Sequence, residues 1–203
     1  MGDERSLYEA LSERGVAAGP GPSLEERAGL VGKIAQFVHG QEGFRGMPYD
    51  DATGKSVEPG AAVKGKVTVG WGTVLEAEAF EAGWNAGEFP WSEDQANKAY
   101  ESFYREHMLP GLRRLERVYG ALTDEQYVAA ASFIYNAGPT AFRKNILKPL
   151  EERDLETAVH NWSSFVKRNV PQPDGTVRKE VSPGLVQRRE EEIALFLSGF
   201  ADE

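Results

Sequence analysis

No cysteine occurs among the 203 residues, which excludes disulfides, thiolate zinc sites and thiol nucleophiles. Histidine is scarce, and His39, His107 and His160 are scattered without the spacing of metal ligands. Long apolar runs are missing too. No window approaches the ~18 apolar residues of a membrane span. The start, MGDERSLYEALSERG, lacks the basic-then-apolar pattern of a signal peptide, so synthesis and folding in the cytosol are expected unless another device exports the chain. Positive charge is in deficit: the formal net charge of −9 argues against affinity for nucleic acid or an anionic membrane surface. Hydrolytic chemistry on this chain would fall to carboxylates.

What is present suits a soluble globular protein, with 40% hydrophobic residues and a length that allows one domain or two small lobes sharing a core. Residues 1–22 end in the Gly/Pro-rich GVAAGPGP and read as an appendage and linker. Ser23-x-x-Glu26 is a capping box that should start a helix carrying Leu30, Ile34, Phe37 and Val38, ending near His39-Gly40. From Tyr49 to Thr73, Gly, Pro, Asp and β-branched residues signal turns and short strands. Ser92-x-x-Gln95 and Thr123-x-x-Gln126 repeat the cap signal and predict helices over 93–108 and 124–136, with a Pro-started helix over 110–119 between them. The apolar YVAAASFIY, 127–135, predicts a central buried helix stopped by Gly138. Two short helices, over 146–152 and 154–165, a polar loop over 169–183 and a final amphipathic helix over 184–198 complete the reading. The fold class is α+β: a helical lobe, 92–200, with a β-rich lobe, 43–80, in one domain over 23–203.

The residues that carry chemistry concentrate in Glu42 to Thr73. Glu42 falls at a helix C-terminus, whose negative dipole end suits a group that acts as proton donor. Asp51 follows across a turn. Glycoside hydrolysis uses such a pair, one carboxyl protonating the leaving oxygen while the other activates water or stabilises the developing cation. Asp50 reads as a turn residue and Glu58 as a rival carboxylate. In Gly70-Trp71-Gly72 the glycines suggest close approach of backbone to a ligand.

EGFRGMPYDDATG followed by TVGWGT, then SFIYNAG at 132–138 and PGLVQRREEEIALF at 183–196, resembles in content and order the phage-type lysozymes, or endolysins, of glycoside hydrolase family 24. The resemblance implies a lysozyme-like fold and a muramidase that cleaves the β-1,4 bond between N-acetylmuramic acid and N-acetylglucosamine in peptidoglycan. It implies inversion, with carboxylates ~6.5–9.5 Å apart, and no metal or cofactor. Residue by residue, Glu42 takes the general-acid role, Asp51 that of the carboxylate orienting or activating water, and Thr68 the hydroxyl beside that water. Gly72, Asn136 and Arg188 take substrate-binding positions, Arg188 matching an arginine that lies near the catalytic glutamate in the family.

The chain departs from the family pattern in the insertion between Gly54 and Thr68, which should lengthen the hairpin, and in Thr73 where several relatives have His. Trp71 and Trp162 offer faces for sugar rings or, as aromatics more often do, packing. Arg143, Lys144, Lys167, Arg168, Arg178 and Lys179 are candidates for a locally positive surface. A monomer is expected, released through a holin-type pore from the host cytoplasm to the periplasm and wall, or carried in the virion with residues 1–22 docked to virion proteins. A lytic transglycosylase and a non-catalytic phage structural or wall-binding module remain alternative readings.

Overall fold

The computed structural model describes residues 24, 27, 29–120, 122–172, 174 and 176–200. Residues 1–22 and the Ser23/Glu26 cap lie outside them. The chain divides into two compact units: one holds the described residues up to Val38, Arg105–Lys167 and those from Val181; the other holds His39–Tyr104 and Arg168–Glu180.

The first helix, α1 (Leu30–Gln41), buries Leu30, Ile34 and Val38 at helical spacing. It begins at Leu30, later than a cap at Ser23 predicts, because Arg27 is non-helical and Gly29 takes a left-handed φ of 84°.

In the second unit, β1 (Arg45–Asp50), β2 (Val67–Gly70) and β3 (Thr73–Val74) form an antiparallel sheet in that order. The register pairs Tyr49 with Thr68 and Asp50 with Val67. The insertion is the β1–β2 connection. Its first residues double back along the other edge of β1, through a Tyr49–Ser56 bridge and a hydrogen bond from Val57 N to Pro48 O of 3.0 Å. Two helices follow, α2 (Ala77–Asn85) and α3 (Glu93–Phe103). The Ser92 cap forms as its sequence dictates, Gln95 N donating to Ser92 Oγ and Ser92 N to Gln95 Oε1. Gly70 is required where β2 meets α3, since a β carbon there would stand 2.8 Å from Ala96 Cβ.

A π-helical turn, Tyr104–Met108, joins α3 to α4 (Leu109–Tyr119) without a break, with Pro110 in the first turn of α4. The first unit is built on α5 (Asp124–Ala137), capped by Thr123 and Gln126 and buried continuously from Gln126 to Ile134. Gly138 ends it with a φ of 91°. A second helical run follows as α6 (Pro139–Phe142), a π turn (Arg143–Leu147) and α7 (Lys148–Glu151), and then α8 (Leu155–Ser163) is capped by Asp154. Phe133 meets Trp162 and Phe165 edge-on, and Trp162 packs on Phe196.

The predicted polar loop over 169–183 is instead a hairpin, β4 (Lys167–Pro171) with β5 (Val177–Val181). Asp174 turns it by accepting from Thr176 N at 2.9 Å, a local bond that aspartate favours in tight turns. The last helix, α9 (Pro183–Ser198), corrects the predicted apolar face: its most buried residues are Arg188, Arg189, Glu192 and Phe196, while Leu185, Ile193, Leu195 and Leu197 are half-buried.

Candidate active site

Glu42 is the first residue after α1, half-buried, and leads into β1. Three residues on, Arg45 lays its guanidinium over the Tyr49 ring, 4.2 Å from the centroid. Tyr49 stands on β1 opposite Thr68 of β2. Its hydroxyl is held above the usual phenol pKa by burial first, then by the negative charge of Glu42 and, against the opposing Arg45, by that of Asp51. Glu42, Tyr49 and Asp51 all lie in one unit.

The two consecutive aspartates have different environments. Asp50 is 4% exposed and accepts backbone N–H groups from Ala52, Lys64 and Gly65 at 2.9–3.0 Å. Burial opposes its ionisation, but these bonds and the Thr53 hydroxyl outweigh it and hold its carboxyl below the ordinary value. Such a carboxylate is committed to structure. Asp51 is exposed, and its Oδ1 accepts from Lys66 N at 2.7 Å. Oδ2 has no partner among the described residues.

Thr68 is buried on β2, and its Oγ1 donates to Lys66 O at 3.3 Å. Gly72 has a φ of 103°, in the left-handed region where glycine is favoured, in the turn before β3. Trp71 is a packing residue: His39 stacks on it at 4.2 Å, Phe44 lies at 5.0 Å, and its Nε1 donates to Asn97 Oδ1. Burial lowers the His39 pKa, against the charge of Glu93. Glu58 lies exposed at the tip of the insertion, accepting from Ala61 N in a turn.

Asn136 and Arg188 belong to the other unit, on α5 and α9. Arg188 donates to Ser132 Oγ and Glu192 Oε1, and Arg189 donates to Glu192 Oε1 at 3.0 Å and to Asn136 Oδ1 at 3.1 Å. Ser132 Oγ donates to Glu192 Oε1 at 2.5 Å and Trp162 Nε1 to Glu192 Oε2 at 2.8 Å. Trp162 is thus fully packed, with no face open to a sugar. A surface pocket lined by Glu106, His107, Arg114, Phe142 and Arg143 holds none of the candidate catalytic or substrate-binding residues.

Residues 39–192 match the model of the phage lysozyme family, a span that takes in Glu42, Asp51, Thr68, Gly72, Asn136 and Arg188. The chain belongs to the phage lysozyme family. It is a glycoside hydrolase of the lysozyme class, a peptidoglycan hydrolase that acts on the cell wall. None of the curated proteins compared matches it significantly. Solved structures that resemble this phage lysozyme include an endolysin from Escherichia coli O157:H7 phage FAHEc1 (18% identity, 81% of this chain and 90% of that one, TM-score 0.49). A P22 lysozyme variant gives 19% identity over 84% of this chain and 97% of that one, with a TM-score of 0.48. The muramidase domain of SpmX from Asticaccaulis excentricus gives 19% over 84% and 95%, with a TM-score of 0.43. Among the described residues of this phage lysozyme, no helix is long and apolar enough to cross a membrane.

Sequence reasoning gave no role to Tyr49, Gly65 and Glu192, and read Arg189 only as a solvated or structural charge. Tyr49 stands inside EGFRGMPYDDATG, where the two carboxylates draw attention away from it. Gly65, Arg189 and Glu192 act through contacts between residues far apart in the chain, which local pattern does not reveal.

Proposed function

We propose that this lysozyme cleaves the β-1,4 bond between N-acetylmuramic acid and N-acetylglucosamine, with Glu42 protonating the leaving oxygen and Asp51, beside Thr68, orienting the attacking water. The observation that carries this reading is the phage lysozyme match over residues 39–192, which takes in Glu42, Asp51 and Thr68, with the β1–β2 register setting the strand end that leads into Asp51 beside Thr68. Glu42 follows a helix end, suited to a proton donor. Asp51 keeps one oxygen bonded and the other open, as a group that holds water must. Water attacking opposite the leaving group gives inversion at the anomeric carbon. Gly72, Asn136 and Arg188 serve the substrate.

Residues 23–203 act as the catalytic domain of a monomer that needs no metal or cofactor. The biological role is phage lysis or entry. Delivery to the wall is through a holin-type pore, or in the virion with residues 1–22 as the docking segment.

The test is E42Q, assayed for lysis of permeabilised cells. Loss of a general acid costs about 10²- to 10⁴-fold in rate, and the half-buried position predicts an unchanged unfolding midpoint. Near-normal lysis by E42Q would sink the assignment. Mass spectrometry of the released muropeptides should show reducing ends; anhydro sugars would identify a lytic transglycosylase instead.

A further inference from the structure

The insertion, residues 55–67, is tied to the two aspartates at both of its ends. Asp50 N donates to Lys55 O at 2.9 Å where the insertion leaves, and the Asp50 carboxylate collects Lys64 N and Gly65 N where it returns. The next residue, Lys66, exchanges two bonds with Asp51: Lys66 N donates to Asp51 Oδ1 at 2.7 Å and Asp51 N donates to Lys66 O at 3.0 Å.

Gly65 is what permits this contact. A β carbon at position 65 would stand 1.9 Å from Asp51 Oδ1, 2.8 Å from Ala52 Cβ and 2.8 Å from Ala52 N. The need here is for space, since Gly65 has no left-handed φ. Part of the obstruction is backbone and cannot swing away, so any side chain at 65 displaces the Asp51 carboxylate.

An exposed carboxylate on a turn ordinarily samples several rotamers. Asp51 is exposed, yet one oxygen is fixed by a backbone donor that is itself held by a buried neighbour. We propose that the insertion is a positioning device for Asp51, with Asp50 and Gly65 as its positioning residues: together they fix Oδ1 on Lys66 N–H and present Oδ2 to the water. The proposal rests on the catalytic reading of Asp51. It gives the insertion a part in the chemistry, beyond a lengthened hairpin.

A double-mutant cycle in the full chain tests it, with kcat, KM and the unfolding midpoint measured for G65A, D51A and G65A/D51A on purified peptidoglycan. Misplacing a catalytic group by about 1 Å costs up to ~10²-fold in rate. G65A should therefore lower kcat roughly 10- to 100-fold with KM within about twofold, and the same change in the D51A background should add less than about twofold. Equal loss in both backgrounds, or wild-type kcat in G65A, overturns the proposal. Wild-type activity in D51A instead removes the catalytic reading on which it rests. Should G65A not fold, D50N takes its place in the same cycle: it loosens the return strand without adding a heavy atom, and the same outcomes apply.

Discussion

The guanidinium of Arg189, 1% exposed, donates from Nη2 to Oδ1 of the surface residue Asn136 at 3.1 Å. With its oxygen taken by Arg189, the exposed Asn136 keeps its NH₂ group as the donor for another partner. An amide held in this way can offer donors to a sugar hydroxyl or acetamido carbonyl. N136D keeps an acceptor for Arg189, removes the donors and adds a negative charge that pairs with the guanidinium, so KM should rise about 2- to 10-fold, the worth of one hydrogen bond, with no loss of stability. Steady-state kinetics on soluble glycan oligomers check this, and an unchanged KM would mean the amide does not meet substrate.

Glu192 is 0% exposed and accepts from Ser132, Trp162, Arg188 and Arg189. Removing one partner from a buried ionic cluster leaves the other charges without their shared counter-charge, a loss of about 3–5 kcal/mol. E192Q should lower the free energy of unfolding by that amount in urea titration. A change below ~1 kcal/mol, the range of an exposed pair, would show the cluster to be marginal.

Asp50 ties the insertion through a carboxyl whose folded pKa lies below its ordinary value, the backbone donors outweighing burial. The sign follows from linkage: the unfolded chain binds the proton more readily. The contribution is therefore complete above the ordinary aspartate value of ~3.9 and is lost as pH falls through the lower folded value. Amide hydrogen exchange at Lys64 and Gly65 should accelerate, relative to the intrinsic rate, as pH drops through that window. D50N, which keeps one acceptor oxygen and does not titrate, should lose protection at one of those amides throughout and show no such step.

Much of the fold was legible because the deciding interactions are short-range. The Ser92/Gln95 and Thr123/Gln126 caps each satisfy N–H groups within three residues, and both form as the spacing predicts. The apolar run of α5 is buried as its composition requires. The hairpin over 167–181 escaped because its strands are largely exposed, which removes the alternation that marks a half-buried strand; Asp174-Gly175 was the available signal. The buried face of α9 escaped for the opposite reason, since periodicity places charges outside and here Arg188 and Arg189 share Glu192 as counter-charge inside. At the candidate site, the residue types could be read directly. Asp50 as a turn residue and Asp51 as the site carboxylate could be read as well, but not the bonds that hold them, which come from Lys64, Gly65 and Lys66 returning from 14–15 residues away.

The two ends of the insertion are clamped beside Asp50, while Glu58, Pro59, Gly60 and Ala61 at its tip are exposed. Closing a flexible loop becomes only ~0.6 kcal/mol harder for each doubling of its length. The tip is consequently a grafting point: a guest peptide spliced between Pro59 and Gly60, such as a targeting sequence for a different bacterial envelope, would ride on the enzyme while the clamp keeps the host geometry below it unchanged.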